Sequence, residues 1–172
     1  PLLVAVPVHA DVNTFTIDHF TADETLTRTD HQGSLHIEET IAVTFTDNNH
    51  GIIRALPAVY KGKTLNLHNI KVSSPSGAPT DVSKSTSNDN VILRIGDPDR
   101  TVSGQQSYVI TYDVDNAITF YNDHDELYWD VNGDQWAQPT TRVDYALHLP
   151  AGLSLGTQQP RCFAGSYGAT SI

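Results

Sequence analysis

From Leu35 to Phe45 the chain alternates without a break, with Leu35, Ile37, Glu39, Ile41, Val43 and Phe45 set against His36, Glu38, Thr40, Ala42 and Thr44. Successive side chains of an extended backbone point to opposite faces, so this period of two describes a long strand with one face in a core and the other in solvent. A helix would scatter the same apolar residues around its axis. Gln106 to Val114 repeats the pattern, with Tyr108, Ile110, Tyr112 and Val114 on one face. Val143, Tyr145, Leu147 and Leu149 form a further run that stops at Pro150, and Val91–Ile95 and Leu65–Val72 read as shorter strands. Gly33-Ser34, after Asp30-His31-Gln32, predicts a turn joining the Leu35 strand to an earlier run from Phe20 to Arg28. The expected fold is all-β, an immunoglobulin-like antiparallel β-sandwich of about eight or nine strands with little or no helix. Gly104-x-x-x-Tyr108 suggests a tyrosine whose hydroxyl ties to backbone at a corner between sheets. Ser73 to Asn90, rich in Ser, Pro, Asn and Asp, reads as a long surface loop and an insertion.

A chain of 172 residues can bury one sizeable core, and no second segment claims another. Twenty acidic against ten basic residues give a formal charge of −10, a field that repels phosphate backbones and anionic headgroups, so nucleic acid is not an expected partner. Residues 1–10, PLLVAVPVHA, carry a continuous apolar run and then Val8-His9-Ala10. They read as the remnant of a secretory signal peptide, with 11–172 as the single domain. The other reading of that run is a first strand, against which its continuity and Pro7 both weigh. No stretch reaches the roughly 20 apolar residues of a spanning helix, so a membrane anchor is expected outside this chain. Cys162 is the sole cysteine, either a buried small hydrophobe or a thiol whose partner lies elsewhere.

The aromatic stretch from Tyr121 to Pro139 holds both tryptophans around an Asn132-Gly133 step, which predicts a tight hairpin there. Asp130, Asn132 and Asp134 alternate as oxygen donors do in calcium loops, but Gly133 falls fourth rather than sixth, so no metal is expected. Glu38 and Glu39 cannot act as a glycosidase pair, because neighbours on a strand face opposite ways. Glu39 sits on the apolar parity and needs a buried partner, for which Arg54 in HGIIRALP is the candidate, a structural ion pair across strands. His36 and His148 fall on polar parity and are expected at the surface. There is no His-Glu-x-x-His, Cys-x-x-Cys, Gly-x-Ser-x-Gly or phosphate-cradling glycine loop, so no catalytic residue and no cofactor is expected. The candidate binding patch is Asp123, Asp125, Glu126, Tyr128, Trp129 and Trp136, because an aromatic face beside carboxylates suits a sugar or protein ligand. The alternative for both tryptophans is that they anchor the core.

Three segments read together, GSLHIEETIAVTF with HGIIRALP, VILRIGDPDRTVSGQQSYVITYDVDNAI, and DELYWDVNGDQWAQPTTRVDYALHLP, resemble the N-terminal extracytoplasmic domain of the YciQ-like predicted membrane proteins, domain of unknown function 2207. The resemblance runs from about Phe20 onward and implies a signal peptide, this β-domain, then membrane-spanning helices and a cytoplasmic tail. It implies no catalytic residues. It also implies that the chain is truncated near Cys162-x-x-Gly165, so that a disulfide partner of Cys162 would lie downstream. The functional expectation is an extracytoplasmic, membrane-anchored envelope domain that binds a protein or glycan. Alternatives are an envelope hydrolase using Glu39 or the acids from Asp123 to Asp130, and a structural spacer.

Overall fold

The computed structural model describes residues 15–29, 32–156 and 160–165. The expected signal remnant at residues 1–10 lies outside the described residues. The strands are β1 (Phe15–Thr29), β2 (Gln32–Asn49), β3 (Ile52–Pro57), β4 (Val59–Tyr60), β5 (Lys63–Thr64), β6 (Asn66–Ser73), β7 (Val82–Ser87), β8 (Asn90–Ile95), β9 (Val102–Asp115), β10 (Ile118–Phe120), β11 (Asp125–Leu127) and β12 (Val143–His148). The described chain is all-β.

The long alternating run is the middle of β2, the spine of a five-stranded sheet ordered β12-β1-β2-β9-β6. Its odd positions are buried with the even positions of β1 from Phe20 to Leu26 and of β9 from Tyr108 to Val114, since the antiparallel register sets Ala22 opposite Glu39 and Tyr112 opposite Ile37. A register shift between Ile17 and His19 reverses the parity at the start of β1, where Phe15 and Ile17 are buried. A three-stranded sheet, β3-β8-β7, adds Ile52, Leu56, Leu93 and Ile95 to the same core, giving a sandwich-like arrangement. Two small hairpins, β4-β5 and β10-β11, complete the strand pairing. Among the described residues the strands pair antiparallel except for β12, which lies parallel to β1 from Phe20↔Val143 to Thr25↔His148, with a further parallel bridge at Ile17↔Thr140.

Four expectations need correction. Gly33 and Ser34 lie inside β2 rather than in the turn, because pairing continues to Thr29↔Gln32. The Ser73–Asn90 segment is no structureless loop: Val82–Ser87 forms β7 and pairs with β8 through a turn at Asn88 and Asp89, both with positive φ (47° and 60°). That is a primed turn in which Asn and Asp stand where glycine is commoner. The strand buries nothing on either face, so no hydrophobic period marked it. Asn132-Gly133 is not a hairpin turn either, since only Gly133 has positive φ (74°) and no strand flanks it. The aromatic hairpin falls earlier, at β10 and β11. Finally, Tyr108 makes no corner bond; its hydroxyl is buried without a hydrogen-bond partner, and burial pushes its pKa up to about 12.

Gly96 ends β8 at φ 138°, where a Cβ would overlap the carbonyl oxygen of His50. The β2–β3 connection therefore crosses the end of β8 backbone against backbone. Gly96→Ala is expected to destabilise the fold by about 2–4 kcal/mol through this overlap and the forbidden φ, read from the shift in urea midpoint at unchanged slope.

Candidate functional site

Two groups of side chains stand out, one enclosed and one on the surface. The enclosed group is built on β2, where Glu39 occupies a core position with 0% exposure. Arg54 reaches it from β3, with Nε donating to Oε2 at 2.8 Å and Nη2 to Oε1 at 2.7 Å. This fork-on-fork geometry is the strongest a guanidinium offers a carboxylate. Tyr112 of β9 donates its hydroxyl to the same Oε1 at 2.7 Å. The remaining Arg54 protons go to main-chain oxygens: Nη1 donates to Ala55 at 2.8 Å and to Asn132 at 3.1 Å. Trp136 closes the group, since its Nε1 donates to the Asn132 carbonyl at 2.7 Å while its ring lies 5.9 Å from the Arg54 guanidinium carbon. Phe20 covers the guanidinium at 5.4 Å. Gly133 is required here, because a Cβ would stand 2.5 Å from Arg54 Nη1.

Burial works against the charge on Arg54, but the Glu39 carboxylate outweighs it and holds the guanidinium above its ordinary pKa. Burial raises the Tyr112 hydroxyl far above the usual phenol range, with the charge on Glu39 adding to it. Asp130, at the edge of this group, is also raised, first by desolvation and then by Asp134, while Arg54 pulls it back. A second buried carboxyl, Glu24, lies on β1 with 0% exposure and accepts a hydrogen bond from the Tyr145 hydroxyl at 2.9 Å. Sequence reasoning missed Glu24, although it shares the parity of Phe20, Ala22 and Leu26, the same signal that marks Glu39.

The surface group joins the two small hairpins. Tyr128, 52% exposed, stacks on Tyr60 with ring centroids 4.8 Å apart and planes 8° from parallel. Lys61 lies over the Tyr60 ring and 3.5 Å from Glu126, while Phe120 and Tyr121 are exposed on the adjoining hairpin. Tyr121 stacks on His124, which pairs with Asp123 at 2.8 Å, and Asp125 is exposed. Beneath the tyrosine pair a cleft of about 40 Å³ is lined by Trp129, Asp130 and Leu65, and the buried Trp129 Nε1 has no acceptor.

The six residues of the proposed patch are thus divided. Asp123, Asp125, Glu126 and Tyr128 lie on the hairpin surface, Trp129 packs half-buried beneath, and Trp136 belongs to the Arg54 group. Tyr60 joins the surface group, and nothing in its local sequence announced it. Cys162 is exposed and free among the described residues. His36 and His148 are on the surface, each paired with an aspartate.

The larger concavity, a groove of about 710 Å³, lies elsewhere, with Ile53, Val82, Arg94, Asp81, Trp136 and Gln138 in its wall. Among its described lining residues Asp81 is the only carboxylate. No group of three or more histidine, cysteine or acidic side chains among the described residues is arranged to hold a metal ion. No described helix is long and apolar enough to cross a membrane.

Glu39→Gln is expected to cost about 3–5 kcal/mol by leaving the Arg54 charge buried without its partner. Arg54→Met should cost at least as much and, unlike Glu39→Gln, should also speed amide exchange across Asn132–Trp136, because the loop loses its donors. Urea unfolding with hydrogen exchange separates the two.

Over residues 16–169 the sequence matches the family described as predicted membrane protein (DUF2207) N-terminal domain. No curated protein matches the chain. Among solved structures, M1 zinc metallopeptidase from Deinococcus radiodurans is similar at 14% identity and a TM-score of 0.37, over 59% of this chain and 20% of that one. A two-domain M1 zinc metallopeptidase variant bound to L-arginine is similar at 13% identity and TM-score 0.46, over 86% and 37%. Leukotriene A4 hydrolase from Saccharomyces cerevisiae is similar at 9% identity and TM-score 0.37, over 64% and 17%. The chain thus spans about a fifth of the first of these structures.

Proposed function

The chain belongs to the DUF2207 N-terminal domain family of predicted membrane proteins, and on that premise we propose that it is an interaction module on the extracytoplasmic side of the membrane, anchored through segments outside this chain, that grips a protein or glycan. The observation that carries this reading is the Tyr60–Tyr128 stack, which leaves aromatic surface in solvent beside Lys61, Glu126 and the exposed Phe120 and Tyr121. Exposed, pre-stacked rings present large contact area with little side-chain entropy left to lose, and polar groups at the rim select among ligands. The net charge of −10 supports a partner other than nucleic acid.

Catalysis is the less supported reading. Glu39 has both oxygens occupied by Arg54 and Tyr112 and no exposed surface, so a substrate has no route to it. Of the acids from Asp123 to Asp130, Asp123, Asp125 and Glu126 lie on the surface of the β10–β11 hairpin, and Asp130 lines the cleft of about 40 Å³ with no second carboxylate among its described lining residues.

The test is binding of the purified chain to a glycan array and to immobilised envelope proteins. Tyr60→Ala with Tyr128→Ala should weaken capture at least tenfold, as expected for aromatic anchors, with melting temperature little changed. Capture that survives the double substitution would remove the patch from this role. Turnover of an envelope substrate that is lost on replacing Asp123 and Glu126 would put the hydrolase reading in its place.

A further inference from the structure

The last strand is held to the sheet by an unusual set of contacts. Three side-chain hydrogen bonds link β12 to β1, and each includes a titratable group: Tyr145 to Glu24 at 2.9 Å, His19 to Asp144 at 2.7 Å, and His148 to Asp23 at 3.1 Å. In the first, the half-exposed Tyr145 reaches a buried carboxyl, while the other two join side chains at the surface. Beneath Tyr145, Glu24 is fully enclosed, and its Oε1 is buried with no hydrogen-bond partner. β12 itself is an edge strand, with Val143 and Tyr145 more than two-fifths exposed.

We propose that β12 is a proton-controlled clasp, docked along β1 while the Glu24 carboxyl is protonated and loosened when that carboxyl ionises. A buried carboxylate oxygen without a donor costs far more than a buried neutral carboxyl group, so the docked strand selects the neutral acid. The groups facing Glu24 reinforce the choice. Glu39 from β2 and Asp23 on its own strand both disfavour a second negative charge, and Tyr112 from β9 is already committed to Glu39. Tyr145 from β12 is the group that opposes them by donating to the ionised form. The Arg54 charge is spent on Glu39 and main-chain oxygens. Desolvation comes first among the causes and raises the Glu24 pKa to about 7.

The direction follows from proton linkage. An acid whose pKa is higher in the docked state binds its proton more tightly there, so docking is strongest in acid and weakens as pH rises from about 4.5 to about 7. Release of β12 hydrates Glu24 and leaves β1 as an open edge able to pair with another strand.

Hydrogen exchange of the full chain tests the proposal. After correction for intrinsic rates, protection of the β1-bonded amides in 143–148 should fall about ten- to thirtyfold between about pH 5.5 and about pH 8, while β9 amides hold steady. Glu24→Gln should flatten this dependence to within about threefold, and His19→Gln with His148→Gln should leave most of it. Flat protection in the unmodified chain would overturn the clasp, as would dependence that persists in Glu24→Gln or disappears in the histidine variant. Should Glu24→Gln fail to fold, carboxyl carbon NMR of the unmodified chain decides: a Glu24 midpoint near neutrality is expected, and an ordinary glutamate midpoint overturns the proposal.

Discussion

The bidentate contact between Glu39 and Arg54 is the interaction around which the rest of this domain is organised. It joins the two larger sheets through their interior, since Glu39 stands on β2 and Arg54 on β3. A charged pair in that position gives less net stability than two well-packed apolar residues would, because both ions must leave water. What it adds is specificity. A one-residue slip of β2 would carry Glu39 to the solvent face and leave Arg54 buried alone, so the pair penalises every wrong register of the central strand. The unused guanidinium protons then hold the loop carrying Asn132 and Gly133, which positions Trp136 and lets the preceding aromatic residues reach the surface.

Much of this was legible from side-chain parity. The alternation in β2 and β9 placed Tyr108, Tyr112 and Glu39 inward, and the need of a buried Glu39 for a partner pointed to Arg54 just downstream. Parity reports only on strands that bury one face, and that is where legibility ended. β7 buries neither face, so its pairing depends on the turn at Asn88 and Asp89 and on the neighbouring β8. The Asn132-Gly133 step misled for the opposite reason: its local chemistry favours a hairpin, but the donors of Arg54, remote in sequence, hold the segment as a loop. The Tyr60–Tyr128 stack depends on two hairpins meeting in space, a relation that no spacing along the chain encodes.

The two buried carboxyls show how one fold sets two fates for the same side chain. Glu39 meets a guanidinium and a phenol, and all its demands are satisfied. Glu24, also on the inner face of the sheet, meets a single phenol and feels the charge on Glu39 as a neighbour of like sign. The partner that stabilises Glu39 is thus unavailable to Glu24, and the cost of burying a second acid falls on the strand that covers it.

The parallel pairing of β12 with β1 has a mechanical meaning. The start of β1 and the end of β12 lie at opposite ends of their shared ladder, so tension applied between Phe15 and His148 pulls the two strands past one another along their length. Bonds that bridge parallel strands then carry the load together rather than opening one at a time, as they would if the same force peeled a hairpin apart. A domain with this geometry resists being drawn out along its chain while its edge strand stays free to lift sideways.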